Sequence, residues 1–319
     1  FSVTGFWNKP VDKLLNFTRM SKIINLFVAF AVLIFFNACK TGNQSLKLPL
    51  EPTQHTVLWE ISGKNLKQPS YIFGTFHLMC KEDIVFSENL KKALAGSKKL
   101  YLEMDLDNLS NTMGALFCMN MNGNKTLNEF YTPEEYKRIE TYFKDSLKMP
   151  FTMFNKVKPL MLESMLYPKL MQCKTLSGVE EGLMKLSKEQ NKEVEGFETI
   201  QFQCAVFDSV PYETQAKGLL RTLDSIASYK KAFQEMLNLY KSQQLGLLDS
   251  LLTKQSEETG ASMDILLYNR NKNWVKQMEK LMPKENLFIA VGAGHLPGKQ
   301  GVLQLLRNEG YMVKPIKNK

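Results

Sequence analysis

Short apolar runs with strand character cluster at the two ends of this chain, and a long helical stretch separates them. The runs at 56–61 and 70–76 are apolar-rich and joined by a turn with Gly63, Asn65 and Pro69, and 99–105 reads as the next strand, with Glu103 and Asp105 on one face. Runs at 286–291 and 311–316 repeat the pattern late in the chain. Between them 132–281 reads as mainly helical, broken by one strand at 193–196. Early and late strands of this kind imply an α/β fold. Its central mixed β-sheet is built from N- and C-terminal strands and flanked by helices, with a large helical middle layer. Ser87 is placed to cap a helix to about residue 95, and Thr132-Pro133-Glu134-Glu135 forms a capping box with proline at the first helical position. A last helix is expected over 298–308, closed by Gly310.

The N-terminal segment has a different character. Met20 reads as the initiator, Lys22 as a short basic region, and 23–36 as an apolar run broken only by Asn25. That length is short for a membrane span and suits a secretory signal. Ala38-Cys39 closes it, so the pattern predicts a bacterial lipoprotein with the lipid on Cys39, exported and anchored at the cell envelope. Residues 40–52, with Gly42, Pro49 and Pro52, read as a tether, and 53–319 as one large domain. The formal charge of +9 is scattered over pairs such as Lys91-Lys92, Lys98-Lys99 and Lys230-Lys231, without interleaved aromatics. These are solvated helix faces, which argues against a nucleic-acid partner.

Beyond Cys39 the chain has Cys80, Cys118, Cys173 and Cys204. An even number in an exported protein permits two disulfides in three pairings. Proximity in sequence favours Cys80–Cys118 and Cys173–Cys204, and four buried thiols are the alternative. No CxxC spacing occurs, so a zinc–thiolate knot is not expected.

The chemistry concentrates in two matching elements. Gly74-Thr75-Phe76-His77 and Gly292-Ala293-Gly294-His295 each follow a strand, and these two histidines are drawn from only three in the chain. The C-terminal ends of sheet strands are where open α/β folds place ligands. Glu103 falls near the end of the 99–105 strand. Two imidazoles and a carboxylate could hold a divalent ion and leave a coordination position for water. Other candidates are weaker. Arg270 and Asn273 share a helix face by i, i+3 spacing, as site residues or as part of an amphipathic helix with Trp274 in the core. Glu198, after Gly196-Phe197, is equally a helix-start carboxylate or a site residue, and Glu180 and Glu181 read as helix-start carboxylates.

Taken in order, 71–77, Leu102-Glu103, Gly196-Phe197-Glu198-Thr199, Arg270-Asn271-Lys272-Asn273-Trp274 and 291–298 resemble the motifs of the TraB/GumN family, over about 57–316. That family is similar to the Tiki-type metalloproteases, and its wider superfamily includes erythromycin-esterase-like hydrolases and a haem-binding lipoprotein type. The resemblance implies a metal-dependent hydrolase, with a peptide or protein substrate. His77, Glu103 and His295 would be the metal and catalytic set, and Arg270 a catalytic residue holding developing charge. Glu198 and Asn273 would be substrate-binding, and the ion manganese, cobalt or zinc. A non-catalytic binder of haem, metal or peptide is the alternative.

Overall fold

The computed structural model describes residues 55–319 apart from 107–113, 115–117, 172, 260 and 261. The leader, Cys39 and the tether lie outside the described residues. Strands β1 (Leu58–Ser62), β2 (Ser70–Thr75), β4 (Lys99–Met104), β6 (Val194–Glu198), β7 (Leu287–Gly292) and β8 (Met312–Ile316) form one sheet in the order β6-β4-β7-β2-β1-β8. The four strands β6, β4, β7 and β2 run parallel; β1 is antiparallel to both β2 and β8. All six residues of β7 are buried, as expected for a parallel strand covered on both faces. The mixed sheet therefore joins early and late strands, as the pattern of apolar runs implied.

Helices cover the sheet and build the middle layer: α1 (Glu88–Gly96), α2 (Pro133–Ser146), α3 (Pro159–Ser164), α4 (Tyr167–Leu170), α5 (Val179–Glu189), α6 (Ile200–Asp208), α7 (Tyr212–Asp224), α8 (Ile226–Lys241), α9 (Leu245–Thr259), α10 (Asn269–Leu281) and α11 (Val302–Asn308). Local chemistry sets their starts. Ser87 Oγ accepts from Leu90 N at 3.1 Å, and Thr132 and Glu135 form the reciprocal capping box ahead of Pro133. The last helix starts at Val302 rather than at 298. A Cβ on Gly301 would sit 1.9 Å from Pro297 O, so the chain folds back on itself there before the helix begins.

Two features differ from the sequence reading. A separate ladder pairs β3 (Met79–Cys80) with β5 (Leu176–Ser177), each too short to show a period-2 pattern. The disulfides are Cys80–Cys173 and Cys118–Cys204, with Cα separations of 5.7 and 5.3 Å. This corrects the pairing by proximity. The β3–β5 ladder carries Cys173 to Cys80, while Cys118 lies against α6, which holds Cys204. Among the described residues no helix is long and apolar enough to cross a membrane.

Candidate metal centre

Parallel strands that all point one way deliver their following residues to one edge, and the candidate residues gather there. His77 lies two residues past β2, Glu103 near the end of β4, Glu198 at the end of β6, and His295 in a 3-10 turn after β7. Gly74 makes the approach possible: a Cβ there would lie 3.0 Å from Leu296 Cδ1 and 3.1 Å from Ala293 Cα.

Glu103 is the hub. Its Oε1 accepts from Gly292 N at 2.7 Å and lies 3.8 Å from both His77 Nε2 and His295 Nε2. Its Oε2 accepts from Arg270 Nη2 at 2.6 Å. Burial works to raise the carboxyl pKa, but the guanidinium, the two imidazoles and the Gly292 N–H outweigh it and hold it at about 2. Glu103 is thus a fixed anion and a poor proton acceptor at neutral pH.

The two imidazoles have unlike partners. His77 Nδ1 is 2.6 Å from Glu180 Oε1, and its buried Nε2 has no hydrogen-bond partner. Burial works to lower its pKa, yet the Glu180 and Glu103 carboxylates prevail and raise it. His295 is fully buried, with Nδ1 2.6 Å from Asn271 Oδ1 and its ring centroid 4.4 Å from that of Trp274. Burial, with Arg270 adding its repulsion, takes its pKa down to about 3, so this imidazole is neutral. An amide oxygen accepts only, so Nδ1 donates to it, and the unprotonated Nε2 lies 3.4 Å from Arg270 Nη1 and 3.8 Å from Glu103 Oε1.

Arg270, 1% exposed, lies beneath this layer. Its Nε and Nη2 donate to Glu198 at 2.8 Å each, Nη2 also reaches Glu103, and Nη1 donates to Leu266 O at 3.0 Å. Glu198 accepts further from Trp274 Nε1 at 2.8 Å and Gln203 Nε2 at 3.2 Å. The cleft above, of about 490 Å³, is lined by His77, Glu103, Glu180, Glu181, Gln203 and apolar residues including Met104 and Met184.

The structure therefore brings His77, Glu103, His295, Arg270 and Glu198 together, but not all in the expected parts. Arg270 and Glu198 face each other under the cleft and do not line it, because every guanidinium nitrogen is engaged by a buried partner. Asn273 does not join them. It is exposed, and the inward face of α10 carries Arg270, Asn271 and Trp274 instead. Glu180 and Asn271, which hold the two histidines, were missed as site residues. One signal was available: Gly178-Val179-Glu180 repeats the Gly-x-Glu spacing of Gly196-Phe197-Glu198.

The site suits a cation. Of three buried carboxylates, Glu103 and Glu198 share one guanidinium while Glu180 holds His77, whose other ring nitrogen is unpartnered. His77 Nε2, His295 Nε2 and Glu103 Oε1 are donors of the kind divalent transition ions take. Among the described residues, the one group of possible ligands whose atoms all lie within 4.8 Å of one another is Cys80, Glu82 and Cys173, not the His77–Glu103–His295 set, and it offers no thiolate because its sulfurs are bonded to each other.

A family model described as the TraB/PrgY/gumN family matches residues 57–315. The chain belongs to the TraB/PrgY/gumN family. Within its matched segment this family member carries every residue of the centre just described. It is 24% identical over 318 residues to a protein named Metalloprotease TIKI homolog from Amphimedon queenslandica, covering 82% of this chain and 61% of that protein. It is 25% identical to Metalloprotease TIKI2 of Danio rerio, over 82% of this chain and 61% of the relative. To Metalloprotease TIKI1 of Homo sapiens it is 24% identical, over 86% and 64%. The chain thus spans about three-fifths of the length of the curated relatives it matches. No solved structure matches it.

The electrostatics of this TraB/PrgY/gumN centre predict acid sensitivity. His295 has an ordinary pKa of 6.5, kept by the unfolded chain, and about 3 when folded. Between these values the unfolded state binds the extra proton, so stability falls as pH drops. Glu103 adds the same sign between 4.5 and about 2. Metal-free protein is expected to lose melting temperature steadily from pH 6.5 to 3, with a shallower slope in His295→Asn. Parallel melting curves for the two proteins would refute this assignment.

Proposed function

We propose that this protein is a metal-dependent hydrolase acting on peptides or proteins. The observation that carries the reading is the buried, unpartnered Nε2 of His77, turned towards the same Glu103 oxygen as His295 Nε2. Its relatives named as metalloproteases support the reaction class. His77, His295 and Glu103 would hold a divalent ion such as manganese, cobalt or zinc. When bound, the ion supplies Lewis acidity and brings the pKa of a bound water towards neutrality.

The chain's own residues set the stage. Glu103, kept ionised by Arg270 and Gly292 N–H, contributes fixed negative charge rather than proton transfer. Asn271 locks the His295 tautomer, and Glu180 orients His77 from its other nitrogen. Arg270 serves by holding Glu103 and Glu198 in place, which takes over from the direct substrate contact expected of it. The apolar cleft wall of Leu102, Met104, Leu106 and Met184 suits an apolar substrate side chain. The haem alternative has less support, because His295 is fully buried and does not line the cleft, out of reach of a macrocycle seated there.

We place the enzyme at the cell envelope, anchored through Cys39. The leader pattern supports this, as do the two disulfides, which persist in oxidising compartments. Fatty-acid labelling that survives Cys39→Ala would refute the anchor. For the activity, metal content and affinity of the purified protein are measured beside His77→Ala with manganese, cobalt and zinc. Stoichiometric binding lost in the variant, followed by peptide cleavage in the loaded protein, is expected. Equal binding in both proteins, or none in either, would overturn the reading.

A further inference from the structure

We propose that Glu180 is a positioning residue for His77, and that the Cys80–Cys173 disulfide is what keeps it in position. The proposal deepens the reading of His77 as a site residue. The segment 173–180 runs antiparallel along 76–81 as a strap. Val179 N donates to Phe76 O at 3.2 Å, Met79 pairs with Ser177 and Cys80 with Leu176, and Lys81 N donates to Thr175 O at 3.0 Å. The disulfide closes the strap at its far end, and the His77–Glu180 contact of 2.6 Å lies at its near end.

Two observations make the clamp matter. The β3–β5 ladder has two residues a side and is not part of the six-stranded sheet. A pairing that short has marginal stability in water. The packing is also tight at the site: a Cβ on Gly178 would lie 2.8 Å from His77 O and 2.9 Å from Glu180 Oε2. The His77–Glu180 contact sits beside the last rung of the strap, Val179 N to Phe76 O, so separation of the strap there removes Glu180 from hydrogen-bond range. Both cysteines are only half-buried, within reach of a small dithiol. Reduction transfers two electrons and two protons from the dithiol, which leaves as its own cyclic disulfide; the S–S bond breaks and Cys80 and Cys173 become thiols.

The test uses the full chain, metal-free, with ¹⁵N-labelled histidine, before and after dithiothreitol, thiols being counted by mass spectrometry. Oxidised protein should show two hydrogen-bonded Nδ1–H signals, assigned with His77→Ala and His295→Ala. On reduction the His77 signal should shift or vanish while that of His295 stays. Cys80→Ser/Cys173→Ser should reproduce this and Cys118→Ser/Cys204→Ser should not. Manganese, cobalt or zinc affinity should weaken by about 10–100-fold, as for loss of an outer-shell partner. Glu180→Ala should show the same weakening and no further response to dithiothreitol. An unchanged His77 signal with Cys80 and Cys173 shown reduced, or equal loss in the Cys118→Ser/Cys204→Ser protein, would overturn the proposal. Reduction in place decides the matter if the serine variants fail to fold. Absence of metal binding with the expected signal change would refute the hydrolase reading and leave this one standing.

Discussion

Arg270→Ala is expected to destabilise the metal-free protein by about 3–5 kcal/mol, the range for removing one partner of a buried ion pair. The cost comes less from lost attraction than from what remains. Glu103 and Glu198 are both buried, and both lose the cation between them. Arg270→Lys should recover little, since one ammonium cannot replace a planar fork that meets Glu198 with two nitrogens while also reaching Glu103. Adding Glu198→Gln to Arg270→Ala should recover part of the loss by removing one uncompensated charge. Urea unfolding of the three variants measures this. A loss below about 1 kcal/mol for Arg270→Ala, the scale of an exposed pair, would show that the guanidinium is not the keystone described here.

Trp274→Ala should cost a similar amount, about 3–5 kcal/mol, through the cavity it leaves. Trp274 is fully buried, and its ring lies 4.4 Å from that of His295 and 6.1 Å from Phe197, centroid to centroid. Trp274→Phe separates packing from hydrogen bonding. It keeps most of the volume but removes the Nε1–H that donates to Glu198 at 2.8 Å, at a cost of about 1–3 kcal/mol. The alanine variant should also loosen His295, whose floor is gone, and weaken metal affinity beyond the effect of the phenylalanine variant. Equal stability for the two variants would mean that the indole contributes only its hydrogen bond.

Much of this arrangement was legible from local patterns, because it rests on local physics. Strand ends at 74–77 and 292–295 announce themselves by a buried apolar run followed by glycine and histidine, and Ser87 and Thr132 cap their helices with neighbours three residues away. What stayed hidden is tertiary. Glu180 touches His77 only because the strap folds back, and the disulfide pairs follow the same fold rather than distance along the chain. Asn271 and Asn273 are both asparagines near the start of one helix. Which of them turns inward depends on how α10 is rolled against the sheet, and the i, i+3 rule from Arg270 selected the wrong one.

The sheet order carries a consequence for how the molecule is made. Strand β7 lies between β2 and β4, yet it follows both by most of the domain's length. During synthesis β2 and β4 leave the ribosome with no partner for their facing edges, and the helical middle must form while that gap stays open. Insertion of β7 closes the gap and, in the same movement, brings Gly292 N to Glu103 and His295 to its place. Assembly of the centre is therefore coupled to completion of the fold, so a nascent or C-terminally clipped chain carries His77 and Glu103 without His295.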